Sequence, residues 1–157
     1  MTAAASEMGL DALARVAAYQ FGPDGSALFD DSDIEVTRSS SGRPRQIIAP
    51  DGRLATYSTT GRFTLGLAGG RRLHELLPHP DYRVVVGDDS EPFVRDEKNV
   101  FAKFVREVDP DVRPGDEVLV THHEGGLLAV GRAELPAADM LDFETGMAVA
   151  VRDGAEG

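Results

Sequence analysis
The chain has 157 residues, 27 acidic side chains against 16 lysines and arginines, a net charge of -11 and no cysteine. A chain of this length buries about two-thirds of its unfolded surface, so one ordinary domain or two small ones are expected, while disulfides, thiolate metal sites and cysteine nucleophiles are excluded. Neither an apolar run long enough to span a bilayer nor a basic leader followed by an apolar stretch is present, which predicts a cytoplasmic protein with no membrane partner.

Residues 1–8 are small, polar and unpatterned, as in a flexible tail. From Leu10 onward, Leu13, Ala14, Ala17 and Phe21 recur at helical spacing until Gly22-Pro23 stops the helix. An acidic loop follows at 30–35. Short strands are then expected at 34–38, 45–49, 53–59 and 62–67, joined by turns such as Pro50-Asp51-Gly52 and Thr60-Gly61, as in an antiparallel meander. Gly69-Gly70 should hand over to a short helix at 71–77, closed by Pro78 and Pro80.

Residues 82–86 read as a hydrophobic strand and 87–97 as an acidic loop around Pro92-Phe93-Val94. Phe101, Phe104, Val105 and Val108 fall at i, i+3, i+4 and i+7, which predicts an amphipathic helix with Asn99, Lys103 and Arg106 on its outer face. Arg113-Pro114-Gly115-Asp116 is a tight turn into a strand at 117–121. The strand at 127–135 carries Ala129, Gly131 and Ala133 on one face, where small residues permit close backbone approach in a small closed barrel. A turn or short helix at 136–143, a last strand at 146–152 and a tail at 155–157 complete the chain.

Catalytic chemistry finds no support. Ser39-Ser40-Ser41-Gly42 lacks the elbow of a nucleophilic serine, and Gly69-Gly70 and Gly125-Gly126 are not phosphate loops. His122-His123-Glu124 reads as a turn without metal, because adjacent histidines on a strand point to opposite faces. No cofactor is expected. The binding candidates are better placed: Lys98, Asn99, Lys103 and Arg106, with Arg132 and Arg152 projecting from the later strands. A second basic surface is expected from Arg43, Arg45, Arg62, Arg71 and Arg72. The 38–72 segment holds seven arginines and one acid, a local charge of +6 that leaves -17 for the rest of the chain. Fourteen arginines accompany only two lysines, and aspartate is abundant, a balance expected of a halophilic archaeal cytoplasm. In molar salt the Debye length falls to about 3 Å, so an acidic chain can still meet an anion at close range.

Several motifs together resemble a known module: Val100-Phe101-Ala102-Lys103-Phe104-Val105, Arg113-Pro114-Gly115-Asp116-Glu117-Val118, Leu128-Ala129-Val130-Gly131-Arg132-Ala133 and Gly146-Met147-Ala148-Val149-Ala150-Val151-Arg152. Their order and spacing are similar to those of the PUA domain, over about 83–154. The ending Tyr19-Gln20-Phe21-Gly22, with Ser41-Gly42-Arg43-Pro44-Arg45 and Thr60-Gly61-Arg62-Phe63-Thr64-Leu65, resembles the segment that precedes the PUA domain in archaeosine transglycosylases, although Ala18 stands where an aspartate is expected. The resemblance implies an α+β fold: a pre-PUA-like antiparallel α/β domain at 9–81, then a PUA-type mixed β-barrel at 82–154. It further implies a non-enzymatic RNA-binding protein for tRNA or another structured RNA, or an interaction subunit that positions a separate tRNA-modifying catalytic chain. Glu97 stands where the resemblance leads one to expect a glycine that lets the RNA backbone approach.

Overall fold
The structure, a computed structural model, describes residues 9–31 and 33–156; the tail expected at 1–8 lies outside them. The chain divides after Leu77 into two compact units.

In the first unit, α1 (Leu10–Phe21) buries Leu13, Ala17 and Phe21, the four-residue spacing that keeps one helical face on the core. Gly22 ends it at a φ of 91°, and Pro23 opens a 3₁₀ helix, Pro23–Phe29, that the periodicity does not announce. The expected meander is present: β1 (Glu35–Arg38), β2 (Pro44–Ala49), β3 (Gly52–Tyr57) and β4 (Phe63–Leu65) pair in sequence order, all antiparallel. Strand β4 lies at the sheet edge, and Gln20 of α1 closes it. The Gln20 side chain donates to the Phe63 carbonyl at 2.8 Å and accepts from the Phe63 N–H at 2.7 Å, substituting for a neighbouring strand. Phe29 packs edge-on against Phe63 with ring centroids 5.2 Å apart.

Helix α2 (Leu67–Leu76) starts about one turn before the expected 71–77 and takes Gly69-Gly70 inside itself. Gly69 is there for packing. A Cβ on Gly69 would lie 1.9 Å from the Leu54 carbonyl oxygen, so only glycine lets α2 settle on β3.

The second unit is a nearly closed mixed barrel. Its strands are β5 (Arg83–Val86), β6 (Val100–Phe101), β7 (Val105–Val108), β8 (Glu117–His122), β9 (Leu127–Ala133) and β10 (Met147–Gly154), in the order β6-β10-β9-β8-β5-β7. Strands β5 and β8 run parallel, and the remaining pairs are antiparallel. The short helices α3 (Glu91–Arg95) and α4 (Ala137–Asp142) complete it. Valines and alanines fill the core, among them Val84, Val86, Val118, Val120, Ala129 and Val149. Small residues on β9 do bring backbones together: a Cβ on Gly131 would stand 2.4 Å from the Ala150 carbonyl oxygen of β10.

Two expectations fail here. No helix occupies 98–108; the segment is β6, a 3₁₀ turn at Ala102–Phe104 and β7. Val100, Ala102 and Val108 are buried, while Phe101 and Phe104 keep 46% and 41% of their surface exposed. From Val100 to Lys103 the side chains alternate in and out at strand period, and backbone pairing with β10 and β5 outweighs the helical spacing of the aromatics. The acidic stretch 87–97 is not all loop either, because α3 turns Val94 into the core. No described helix is long and apolar enough to cross a membrane.

Candidate nucleic-acid interface
The 3₁₀ turn that interrupts the barrel edge pushes two aromatic rings outward, and α3 contributes a third. Phe93, 62% exposed, Phe101 and Phe104 border a cleft of about 280 Å³ whose wall also includes Asp89, Ser90, Val94, Lys98, Asn99 and Val100. The chain enters this wall through Glu97, whose φ of 66° is left-handed, and the Lys98 N–H donates to the Phe93 carbonyl at 2.9 Å. Position 97 thus takes a left-handed turn conformation that glycine would adopt without strain. Glu97 meets the same geometry at a backbone cost, with its carboxylate 3.4 Å from the Gly154 N–H.

The residues singled out from sequence separate into two groups. Lys98 and Asn99 line the cleft, and Asn99 Oδ1 accepts from the Val151 N–H at 3.0 Å, which fixes the wall to β10. Lys103 lies with Nζ 5.1 Å from the centroid of Phe104, a cation over an aromatic face. Beyond Phe104 the groove continues past Glu144, Thr145 and Gly146 toward the exposed Leu141 and Phe143. Arg106, Arg132 and Arg152 do not line the cleft. Arg106 is exposed and its guanidinium lies against Gly87, where a Cβ would come within 2.5 Å of Cζ. Arg132 donates to Glu134 at 2.8 Å. Arg152 grips Glu117, 3% exposed, in a two-pronged fork at 2.6 and 2.9 Å. The aromatic trio is what sequence reasoning missed. Val100-Phe101-Ala102-Lys103, taken at period two instead of at helical period, carries the signal that Phe101 faces solvent.

The basic island of the first unit is partly neutralised within its own fold. Arg43 stacks on Tyr57 at 4.6 Å and donates to the carbonyls of Tyr57, at 3.3 Å, and Ser58. Arg72 donates to Asp31 and Asp51, each at 3.0 Å, and to the Leu28 carbonyl at 3.2 Å. Arg45, Arg62 and Arg71 are exposed. On α1, Leu13, Ala17 and Phe21 are covered by their own unit, leaving Tyr19, 94% exposed, as the outward aromatic.

His122 and His123 do not diverge as two successive strand residues should. Their rings stack with centroids 4.1 Å apart, because β8 ends at His122 and the chain bends at once, with the Gly125 N–H donating to the His122 carbonyl at 2.7 Å. Both imidazoles reach Asp88, at 2.5 and 3.5 Å. The hydrogen bond from His122 holds the Asp88 carboxyl below the usual carboxylate range.

Comparison with known proteins bears on the fold of both units. Residues 11–80 match the family described as the patch-forming domain C2 of tRNA-guanine transglycosylase, and residues 82–155 match the PUA domain. A tRNA-guanine(15) transglycosylase of Thermococcus onnurineus is 48% identical over 142 residues, which is 90% of this chain and 24% of that protein. The chain thus spans about a quarter of the length of the curated relatives it matches. Among solved structures, a hypothetical protein of Pyrococcus horikoshii OT3 aligns at a TM-score of 0.67 and 19% identity, covering 94% of this chain and 90% of its own. A conserved PUA domain protein of Thermoplasma acidophilum aligns at 0.55 and 22% identity, covering 79% and 77%. At those identities the likeness is one of fold. The chain therefore belongs, over residues 11–80, to the C2 patch-forming domains of tRNA-guanine transglycosylases and, over residues 82–155, to the PUA domains.

Proposed function
We propose that this chain is a non-catalytic RNA-binding protein that holds tRNA by its single-stranded acceptor end in the service of tRNA modification. The observation that carries this is the cleft between Phe93, Phe101 and Phe104, with Lys98 in its wall and Lys103 beside it. Exposed rings around a slot suit unstacked bases, which stack on aromatic faces, while the two lysines meet the adjoining phosphates. A duplex offers its bases no such access, so the free end of a folded RNA is the fitting partner. Kinship with transglycosylases that act on tRNA supports the choice of RNA. With an excess of acids, the chain is suited to molar potassium chloride, where screening removes long-range repulsion and leaves contact-range recognition.

The test is fluorescence anisotropy in molar potassium chloride, with tRNA carrying or lacking its single-stranded 3′ end. Saturable binding that weakens at least about tenfold on trimming, the worth of one stacked base, is expected; equal binding to both forms contradicts the proposal.

A second reading, an interaction subunit docked on a separate tRNA-modifying chain, draws on Leu141 and Phe143. These exposed apolar side chains line a neighbouring hollow together with Lys103, Asp142 and Glu144. Co-purification of a transglycosylase chain with wild type, lost on Leu141→Asp, would favour it.

A further inference from the structure
We propose that the open end of the β5–β8 pair is a binding site for a divalent transition-metal ion, Zn²⁺ being the ion of choice, with His122, His123, Asp88 and Glu124 as its ligands. These two strands are the parallel neighbours of the barrel, with Val86 beside His122. They therefore release their chains at the same end. Asp88 leaves β5 two residues beyond Val86, and His123 and Glu124 leave β8 directly after His122. One donor atom from each of the four residues lies within 4.8 Å of all the others.

The donor set selects the ion. Two imidazoles with two carboxylates suit zinc, nickel or copper, whereas magnesium and calcium prefer all-oxygen shells. Neighbouring ligands around tetrahedral zinc lie about 3.3 Å apart, and His123 Nε2 already stands 3.5 Å from Asp88 Oδ1. The 2.5 Å contact between His122 Nε2 and Asp88 Oδ1 is a hydrogen bond, which opens when metal replaces the proton. The ligands differ in exposure as an entry path requires. His122 is 8% exposed and gives a fixed base, while Asp88 and Glu124 keep more than three-quarters of their side-chain surface in water.

The hydrogen bonds also define what must move. The Glu124 N–H donates to His122 Nδ1 at 3.1 Å, so in the metal-free cluster the imidazole proton sits on Nε2, facing Asp88. Ligation through Nε2 shifts that proton to Nδ1 and releases the Glu124 N–H. The released group is at the tip of a turn continued by Gly125 and Gly126, around which a side chain would meet nothing within 4 Å, so no neighbouring side chain stands in the way of its movement.

The test is titration of the untagged full chain with Co²⁺ and then Zn²⁺, by absorption and calorimetry, with amide NMR of the same samples. Wild type should bind one Co²⁺ per chain with visible d–d bands, exchange it for Zn²⁺, and shift the Glu124, Gly125 and Gly126 amides. His123→Ala and Asp88→Ala, both at exposed positions where folding is retained, should each weaken binding by at least about tenfold, and His79→Ala should leave it unchanged. His79 is a suitable control because it is a surface histidine that pairs with Glu107 at 3.0 Å. The proposal is overturned by the lack of one-to-one binding, or by affinity that survives loss of both His123 and Asp88. Equal loss in the His79 variant would overturn it too.

Discussion
At the scale of single residues, Arg132 and Arg152 make opposite forecasts despite similar places on neighbouring strands. Arg152 satisfies a carboxylate that is almost wholly enclosed, whereas the pair between Arg132 and Glu134 is open to water. Removing the partner of a buried carboxylate costs ~3–5 kcal/mol when both are enclosed. Arg152 retains 29% of its side-chain exposure, which places Arg152→Ala near 2 kcal/mol, to be read as a Tm lowered by roughly 10 °C. Arg132→Ala should move Tm by little, as exposed pairs contribute about 0–1 kcal/mol; equal losses would show that Arg152 is a surface residue like its neighbour. Glu97 gives a third forecast. A non-glycine residue at a φ of 66° carries backbone strain of about 1–2 kcal/mol, and this residue directly precedes Lys98 of the cleft wall. Glu97→Gly should hold or raise Tm and tighten RNA binding; weaker binding would assign the carboxylate a positive part in recognition.

At the scale of elements, the legible parts of the sequence are those whose pattern admits one period. Leu13, Ala17 and Phe21 specify α1, and the Pro50-Asp51-Gly52 and Thr60-Gly61 turns specify the meander. The residues from Val100 to Val108 fit two periods at once, and long-range pairing decides between them, which a local pattern cannot express. The glycines of α2 are a similar case. Read locally they interrupt a helix, yet the role of Gly69 is set by Leu54 on another element. The cleft was accordingly half visible: Lys98, Asn99 and Lys103 stand out by charge and motif, whereas Phe93 and Phe101 become site residues only once α3 and β6 are placed. The histidine cluster was hidden because strand alternation stops at His122. Gly69→Ala should cost about 3 kcal/mol or more, since its Cβ meets backbone that cannot swing aside. Gln20→Ala should cost about 1–2 kcal/mol through the two backbone groups of β4 that it leaves unpaired. Denaturant unfolding of the N-terminal unit checks both, and unchanged midpoints would refute the packing and edge-closing roles assigned here.

At the scale of the whole molecule, an acidic chain that binds RNA must do so through few ionic contacts. With Lys98 and Lys103 meeting phosphates of a single strand, the slope of log K against log salt should be about -1 to -2; a slope steeper than about -5 would point to a broad basic surface such as the arginine island. The most direct measurement compares intact tRNA binding by wild type, by Phe101→Ala/Phe104→Ala, and by Arg45→Ala/Arg62→Ala/Arg71→Ala in molar potassium chloride. Both variants alter exposed side chains, so circular dichroism should find them folded. The account predicts that the double phenylalanine variant loses roughly tenfold to a hundredfold in affinity, while the arginine variant stays within about threefold of wild type, as expected of contacts outside the stacking site. Wild-type affinity in the phenylalanine variant, with the loss confined to the arginine variant, would contradict it and transfer the RNA site to the first unit.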